Sequence, residues 1–205
     1  MSPALIVHGG AWDIPDDQVA EHQAGCRQAL EVGWGVLQAG GTALDAVEAA
    51  VRALEDAPIF DAGVGSVLNR DGDVELDAAV MDGATLRSGA VAAVRRVRNP
   101  ITLARRVLES HVILLVAQGA ERFAESVGLP LCDPSELIVE RERNKWAELL
   151  QQTDARTQDT FGAKKGAEAS AATHSLKRPS DTVGAVALDH HGHLAAGTST
   201  GGTPN

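Results

Sequence analysis

The chain has 205 residues, enough for one sizeable core and too many for a disulfide-stapled miniprotein. Hydrophobic residues at 44% and charged residues at 22% are ordinary for a globular protein and exclude a mostly disordered or collagen-like chain. The net charge of −10, with 3% aromatics and no tyrosine, repels phosphate backbones and offers few stacking platforms, so nucleic acid is not an expected partner.

In chain order, Ala4-Leu5-Ile6-Val7 is an apolar run that ends in His8-Gly9-Gly10, which reads as a buried strand and a tight turn. Asp16 and Asp17 after Pro15 are expected to start a helix that runs to Gln38 and stops at Gly40-Gly41. Thr42 caps a second helix through Leu54, whose apolar face is Ala43, Ala46, Val47, Ala50, Val51 and Leu54. Pro58 and two glycines, Gly63 and Gly65, exclude helix between Glu55 and Gly65. Val67-Leu68-Asn69, Arg70-Asp71-Gly72 and Val74 to Val80 read as strand, turn and strand, because Asp-Gly is a hairpin signal. Gly89 to Val97 reads as a further strand. Pro100 opens a helix with Ile101, Ala104, Val107 and Leu108 on one face. Val112 to Val116 is a short apolar run, followed by helices from about Gly119 to Val127 and from Ser135 to Leu150.

Residues 151–180 are polar and carry few large apolar side chains, the composition of a linker that cannot bury enough surface to offset its ordering entropy. Strand signals resume sharply at Thr182, with Val183 to Leu188 and Leu194 to Thr198 joined by a His190-His191-Gly192-His193 turn. Blocks of helices and strand hairpins argue for an α+β fold with antiparallel or mixed sheets and helical layers. The first strand is not followed by G-x-G-x-x-G, so a dinucleotide site is not expected. Cys26 and Cys132 have neither zinc nor disulfide-framework spacing and read as reduced thiols. No apolar run approaches the roughly 20 residues of a membrane helix, and Met1 to His8 lacks a signal-peptide pattern. The expectation is a soluble cytoplasmic protein with no membrane partner.

A linker that ends at Asp181-Thr182 and runs straight into a strand has one specific chemical use. Cutting the bond before Thr182 would give it a free α-amine, with a reference pKa of about 7.7 to 8.0, able to serve as general base for its own hydroxyl. The alternative is an ordinary strand-opening threonine. His190, His191 and His193 suit an exposed turn better than a metal site, since no further ligand accompanies them. Arg95, Arg96 and Arg98 read as a solvated or ion-paired cluster, and Glu140 to Arg143 as an ordinary helix surface. His8 could approach a reacting centre or be a structural histidine.

Several motifs in order carry a family resemblance: Leu5 to Trp12, Phe60 to Leu68, Glu75 to Gly83, Asp181 to Asp189 and Thr198 to Gly202. Together they cover nearly the whole chain outside the linker. They resemble isoaspartyl peptidases, also called plant-type L-asparaginases. The resemblance implies a four-layer αββα N-terminal nucleophile hydrolase that cuts itself between Asp181 and Thr182. Residues 1–181 would form the α part, linker included, and residues 182–205 the start of the β part, all within one domain. The implied nucleophile is Thr182, hydrogen-bonded by a second threonine, Thr200. The implied substrates are L-asparagine and β-aspartyl dipeptides, with a dimer of αβ units in the complete protein.

No catalytic cofactor is implied. A structural sodium ion would be held by the backbone carbonyls of Leu54, Glu55, Ala57, Phe60, Ala62 and Val64; without the resemblance this segment is a glycine-rich turn. Asp61 stands where many members have Asn, and Asp181 where many have Gly. The family's later Gly-Arg-Val-Gly-Asp segment, which clamps substrate, and its Thr-Gly oxyanion pair lie beyond Asn205. The chain is therefore expected to be incomplete at its C-terminus and, alone, uncleaved and inactive. The alternatives are a glycosylasparaginase, a taspase-like protease, or a non-catalytic remnant. The His8 to Trp12 opening favours the isoaspartyl peptidase branch.

Overall fold

The computed structural model describes residues 1–12, 14–150 and 182–203. Its elements are β1 (Ala4–His8), α1 (Val19–Gln38), α2 (Ala43–Asp56), β2 (Leu76–Asp82), β3 (Arg87–Val94), α3 (Pro100–Leu108), β4 (Leu114–Val116), α4 (Ala117–Ser126), a 3-10 turn (Pro134–Leu137), α5 (Glu140–Leu150), β5 (Thr182–Leu188) and β6 (Leu194–Thr200). Six strands form one mixed sheet in the order β1-β5-β6-β2-β3-β4. Every pairing is antiparallel except β3 with β4.

Local chemistry accounts for most helix starts. Thr42 and Asp45 form a reciprocal capping box at α2, each side chain bonding the other's backbone N–H. Pro100 occupies the first turn of α3, where its missing N–H is not needed. The apolar face of α2 is fully buried against β5 and β6, and Ile101, Leu103, Ala104 and Val107 of α3 are buried over β2 and β3. α1 packs on α2 and β1. The linker segment 151–180 lies outside the described residues.

Strand alternation assigns the two sheet faces. A Cβ added at Gly197 would point at Val47 of α2 and Ile101 of α3, so the odd positions of β6 face the helices. Val183, Ala185 and Ala187 of β5 share that buried side. Thr182, Gly184 and Val186, with Ala196, Thr198 and Thr200, stand on the opposite side, in register with Asp77, Ala79 and Met81 of β2. No described element covers this second face. Ile6 is 71% and Val186 47% exposed on it, and a shallow apolar depression of about 370 Å³ runs across it.

Four expectations need correction. Val67 to Asn69 do not form a strand. The Val67 N–H is taken by Asp61 Oδ1 at 2.9 Å, while Asn69 Oδ1 accepts the N–H groups of Asp71 and Asp73. Both edges of β2 are already occupied, by β3 and β6. The first helix begins at Val19 rather than at Asp16, which lies in a preceding turn. The strand expected to reach Val97 ends at Val94. The helix expected from Ser135 to Leu150 is a 3-10 turn and a separate α5, because the Leu137 carbonyl accepts from Gly65 N–H and Ile138 is extended.

Candidate active site

Thr182 opens β5 on the exposed sheet face, directly opposite Thr200 at the end of β6, and Thr200 is in turn directly opposite Asp77 of β2. The three residues form one row across neighbouring strands. Directly opposed Cβ atoms lie about 4.5–5.5 Å apart, so the register brings the two threonines together. Asp181 lies outside the described residues. His8 Nδ1 sits 3.0 Å from the Thr182 carbonyl oxygen and 3.3 Å from the Gly10 nitrogen. Protonated at Nδ1, the ring donates to Thr182; bare, it accepts from Gly10.

The turn after β6 is held from below. Gly202 N–H donates to Thr200 Oγ1 at 3.0 Å, and Gly201 N–H donates to the Asp61 carbonyl at 3.0 Å. A Cβ added at Gly201 would lie 2.3 Å from Asp61 Oδ1 and 2.4 Å from Ser66 Cβ, so only glycine lets the strand end approach this loop. Asp61 is buried, as is Ser66, whose hydroxyl has no hydrogen-bond partner among the described residues.

The loop from Leu54 to Val64 curls on itself. Glu55 carbonyl accepts from Val64 N–H, Leu54 carbonyl from Ala57 N–H, and Ala57 carbonyl from Phe60 N–H. Gly63 adopts φ +57°, with Glu55 O only 2.6 Å from where a Cβ would be. Phe60 and Ala62 are buried. The Glu55 side chain is fully buried, with Oε1 accepting from Ile101 N–H at 2.9 Å. Burial pushes its pKa up to about 8 against the Ser199 hydroxyl and the Ile101 N–H, so the group is largely a neutral acid at neutral pH. It lies beneath β6, beside the buried Ser199 hydroxyl.

The model of a family described as "Asparaginase" matches residues 1–205. The chain belongs to the asparaginase family. It is 44% identical over 206 residues to the isoaspartyl peptidase/L-asparaginase of Xenopus laevis, spanning all of this chain and 61% of that protein. The corresponding figures are 44% over 207 residues for the Homo sapiens protein of the same name, with 100% and 62% covered. A plant-type L-asparaginase of Pyrococcus furiosus is 45% identical over 201 residues, with 97% and 63% covered. The chain spans about three-fifths of the length of these curated relatives.

Within this family member the structure brings Thr182 and Thr200 together and sets the 54–64 loop beneath the β6 end. It also revises one reading of charge. Glu142, read as helix surface, is buried and ion-paired with Arg141 at 2.6 Å and Lys145 at 2.8 Å, while Arg141 donates to the Gly65 carbonyl. The sequence signal for this docking is Trp146, whose ring packs on Gly72 and whose Nε1 donates to the Arg70 carbonyl. Asp77, absent from the sequence-based site, sits in the threonine row and accepts from Ala93 N–H at 2.7 Å across an irregular register. Arg95 pairs with Asp73 and Glu75, and Arg98 with Asp56, as an ion-pair set. Asp189, rather than any histidine, organises the 190–193 turn, accepting from the N–H groups of His191, His193 and Ala43. Among the described residues no helix is long and apolar enough to cross a membrane.

Proposed function

We propose that this protein is a threonine-type hydrolase of L-asparagine and β-aspartyl dipeptides, made active by cleavage before Thr182. The observation that carries the reading is the pairing of Thr182, at the exposed start of β5, with Thr200 directly across the ladder. In the self-cleavage step Thr182 Oγ attacks the Asp181 carbonyl. The peptide bond gives way to an ester, and water then releases Asp181 as an acid and Thr182 as a free N-terminus. The new α-amine, with a reference pKa of about 7.7 to 8.0, takes the proton from Oγ as it attacks the substrate's side-chain amide. It returns that proton to the leaving amine or ammonia, and water hydrolyses the β-aspartyl ester to release L-aspartate. Thr200, its hydroxyl oriented by Gly202 N–H, steadies the nucleophile.

The loop carbonyls of Leu54, Glu55, Ala57, Phe60, Ala62 and Val64 fit a sodium ion. They are all oxygen donors, suited to a hard cation. Gly63 brings its backbone close against the Glu55 carbonyl, and the carbonyls of Phe60, Ala62 and Val64 receive no hydrogen bond among the described residues. A bound sodium supplies fixed positive charge there, and the loop in turn supports Gly201 through the Asp61 carbonyl.

The exposed apolar sheet face supports a second sheet stacked on this one to complete an αββα sandwich. The part-buried free thiols Cys26 and Cys132 favour a reducing, cytoplasmic setting. A dimer of αβ units belongs to the same reading.

The test is intact mass and ammonia release on the full-length protein. Two fragments split before Thr182 and release of ammonia from L-asparagine are expected. Thr182→Ala abolishes both and Thr182→Ser retains part of each, since hydroxyl and amine survive. Turnover of β-aspartyl-leucine by the alanine variant refutes the mechanism.

A further inference from the structure

Asp77 is the member of the threonine row to which the hydrolase mechanism gives no task. It forms the last rung of the β2–β6 ladder with Thr200, and Thr200 forms the last rung of the β5–β6 ladder with Thr182. Chain segments at the end of a ladder open more readily than those inside it. Gly202 N–H sets the Thr200 hydroxyl, and the two rungs set the Thr200 backbone between its neighbours.

On its other edge β2 meets β3 at an irregularity. Leu76 pairs with Val94 and Ala78 with Val91, so Asp77 alone stands opposite both Ala92 and Ala93. An extra residue of this kind is a β-bulge, which disrupts the ladder and leaves a residue outside it. Asp77 Oδ1 accepts the Ala93 N–H at 2.7 Å, so the side chain supplies an acceptor at the bulge. Ala93 has φ +53°, in the left-handed region that alanine enters only at a cost. Such a conformation persists where its surroundings fix it. Without the carboxylate, β3 gains by returning Ala93 to extended backbone. That change shifts the pairing at Asp77 and disturbs the rung it makes with Thr200.

We propose that Asp77 is a positioning residue: by holding the Ala93 bulge through Oδ1, it fixes the last rung of the β2–β6 ladder and keeps Thr200 in place opposite Thr182. This rests on the proposed threonine-hydrolase reading of the site. Asp77 takes no part in bond making and acts through the backbone of Thr200. What it supplies is an acceptor oxygen at the right reach, and its negative charge is not required.

The test compares Asp77→Ala, Asp77→Asn, and Asp77→Ala combined with Ala93→Gly, all in the full-length protein. It is read by the rate of self-cleavage, kcat and KM for L-asparagine, and hydrogen–deuterium exchange of segments 89–97 and 196–202. Asp77→Ala is expected to lower kcat and the cleavage rate by about tenfold to a hundredfold, with KM changed far less, because a displaced catalytic group costs rate rather than binding. Exchange should quicken in both segments. Asp77→Asn keeps an acceptor oxygen of the same reach and should retain most of the rate. Ala93→Gly removes the cost of the left-handed conformation, so the double variant should recover part of the loss. The proposal is overturned by wild-type kcat in Asp77→Ala, by Asp77→Asn as impaired as Asp77→Ala, or by a double variant with no recovery. Faster exchange confined to 89–97 also overturns it, since Asp77 would then support the bulge alone.

If Asp77→Ala does not fold, a folded Asp77→Asn with most of the wild-type rate supports the proposal, and an unfolded or inactive one overturns it. If the wild type neither cleaves nor hydrolyses asparagine, the hydrolase reading fails. Exchange then decides the coupling of Asp77 to Thr200 alone: faster exchange in both segments of Asp77→Ala supports it, and an unchanged 196–202 segment overturns it.

Discussion

Gly201→Ala should damage the site and the fold together. The added Cβ would fall 2.3 Å from Asp61 Oδ1, 2.4 Å from Ser66 Cβ and 2.6 Å from Ser66 Oγ. Ordinary contact begins near 3.4 Å, so the strand end and the loop must separate by about 1 Å. The loop has little freedom to give way. Asp61 Oδ1 is pinned by Val67 N–H, and Ser66 is fully buried with its Cβ fixed to the backbone. The displacement therefore passes to Gly201 and Thr200.

Overpacking of this kind costs about 1–3 kcal/mol, a fall of about 2–12 °C in thermal midpoint for a domain of this size. A misplacement of about 1 Å in a catalytic group costs about a hundredfold in rate. Differential scanning calorimetry and the rate of appearance of the fragment beginning at Thr182 measure the two effects on the full-length protein. Gly35→Ala is the control, since a Cβ there meets nothing within 4 Å in the last turn of α1; it should stabilise by up to about 0.5–1 kcal/mol. A Gly201→Ala protein with wild-type midpoint and wild-type cleavage would falsify the argument that this contact sets Thr200.

Two titratable groups give predictions of opposite sign. Glu55, raised to about 8 by burial, stays protonated in the folded protein while the unfolded chain ionises near pH 4.5. Its contribution is thus fully present below pH 4.5 and is lost as pH rises toward 8, by up to about 1.4 kcal/mol per pH unit. Glu55→Gln should remove that slope in thermal midpoints taken from pH 5 to 8, and an unchanged slope would count against a neutral Glu55. For Asp189, burial raises the pKa, but the N–H groups of His193, Ala43 and His191 and the charge of His193 outweigh it and hold the carboxyl below its ordinary value. The stability it supplies is present above its unfolded pKa of about 3.9 and is lost as pH falls through the lower folded value. Asp189→Asn should cost about 1.5–3 kcal/mol at neutral pH and flatten the acid limb of the stability curve; urea midpoints matching wild type at pH 7 would refute the assigned role.

Sequence alone determined what depends on near neighbours. The Thr42 cap, Pro100 at a helix start, the apolar face of α2 and the strand from Val183 to Leu188 are all set within a turn or two of chain, and all appear in the structure. The family was equally legible, because its motifs are short ordered runs such as His8 to Trp12 and Thr198 to Gly202.

Tertiary structure decided what depends on partners distant in sequence. The Asp71-Gly72 turn exists, yet it closes no hairpin, because β3 and β6 occupy both edges of β2 and Asp61 takes the Val67 N–H. Glu142 reads as solvated in a run of charges, and docking of α5 on the 61–72 loop buries it. The Thr182–Thr200–Asp77 row follows from strand register, since residues 105 apart in sequence meet only when β6 pairs on both sides. Backbone propensity and capping act over a few residues, whereas register and burial of charge are settled by which surfaces the whole chain brings together.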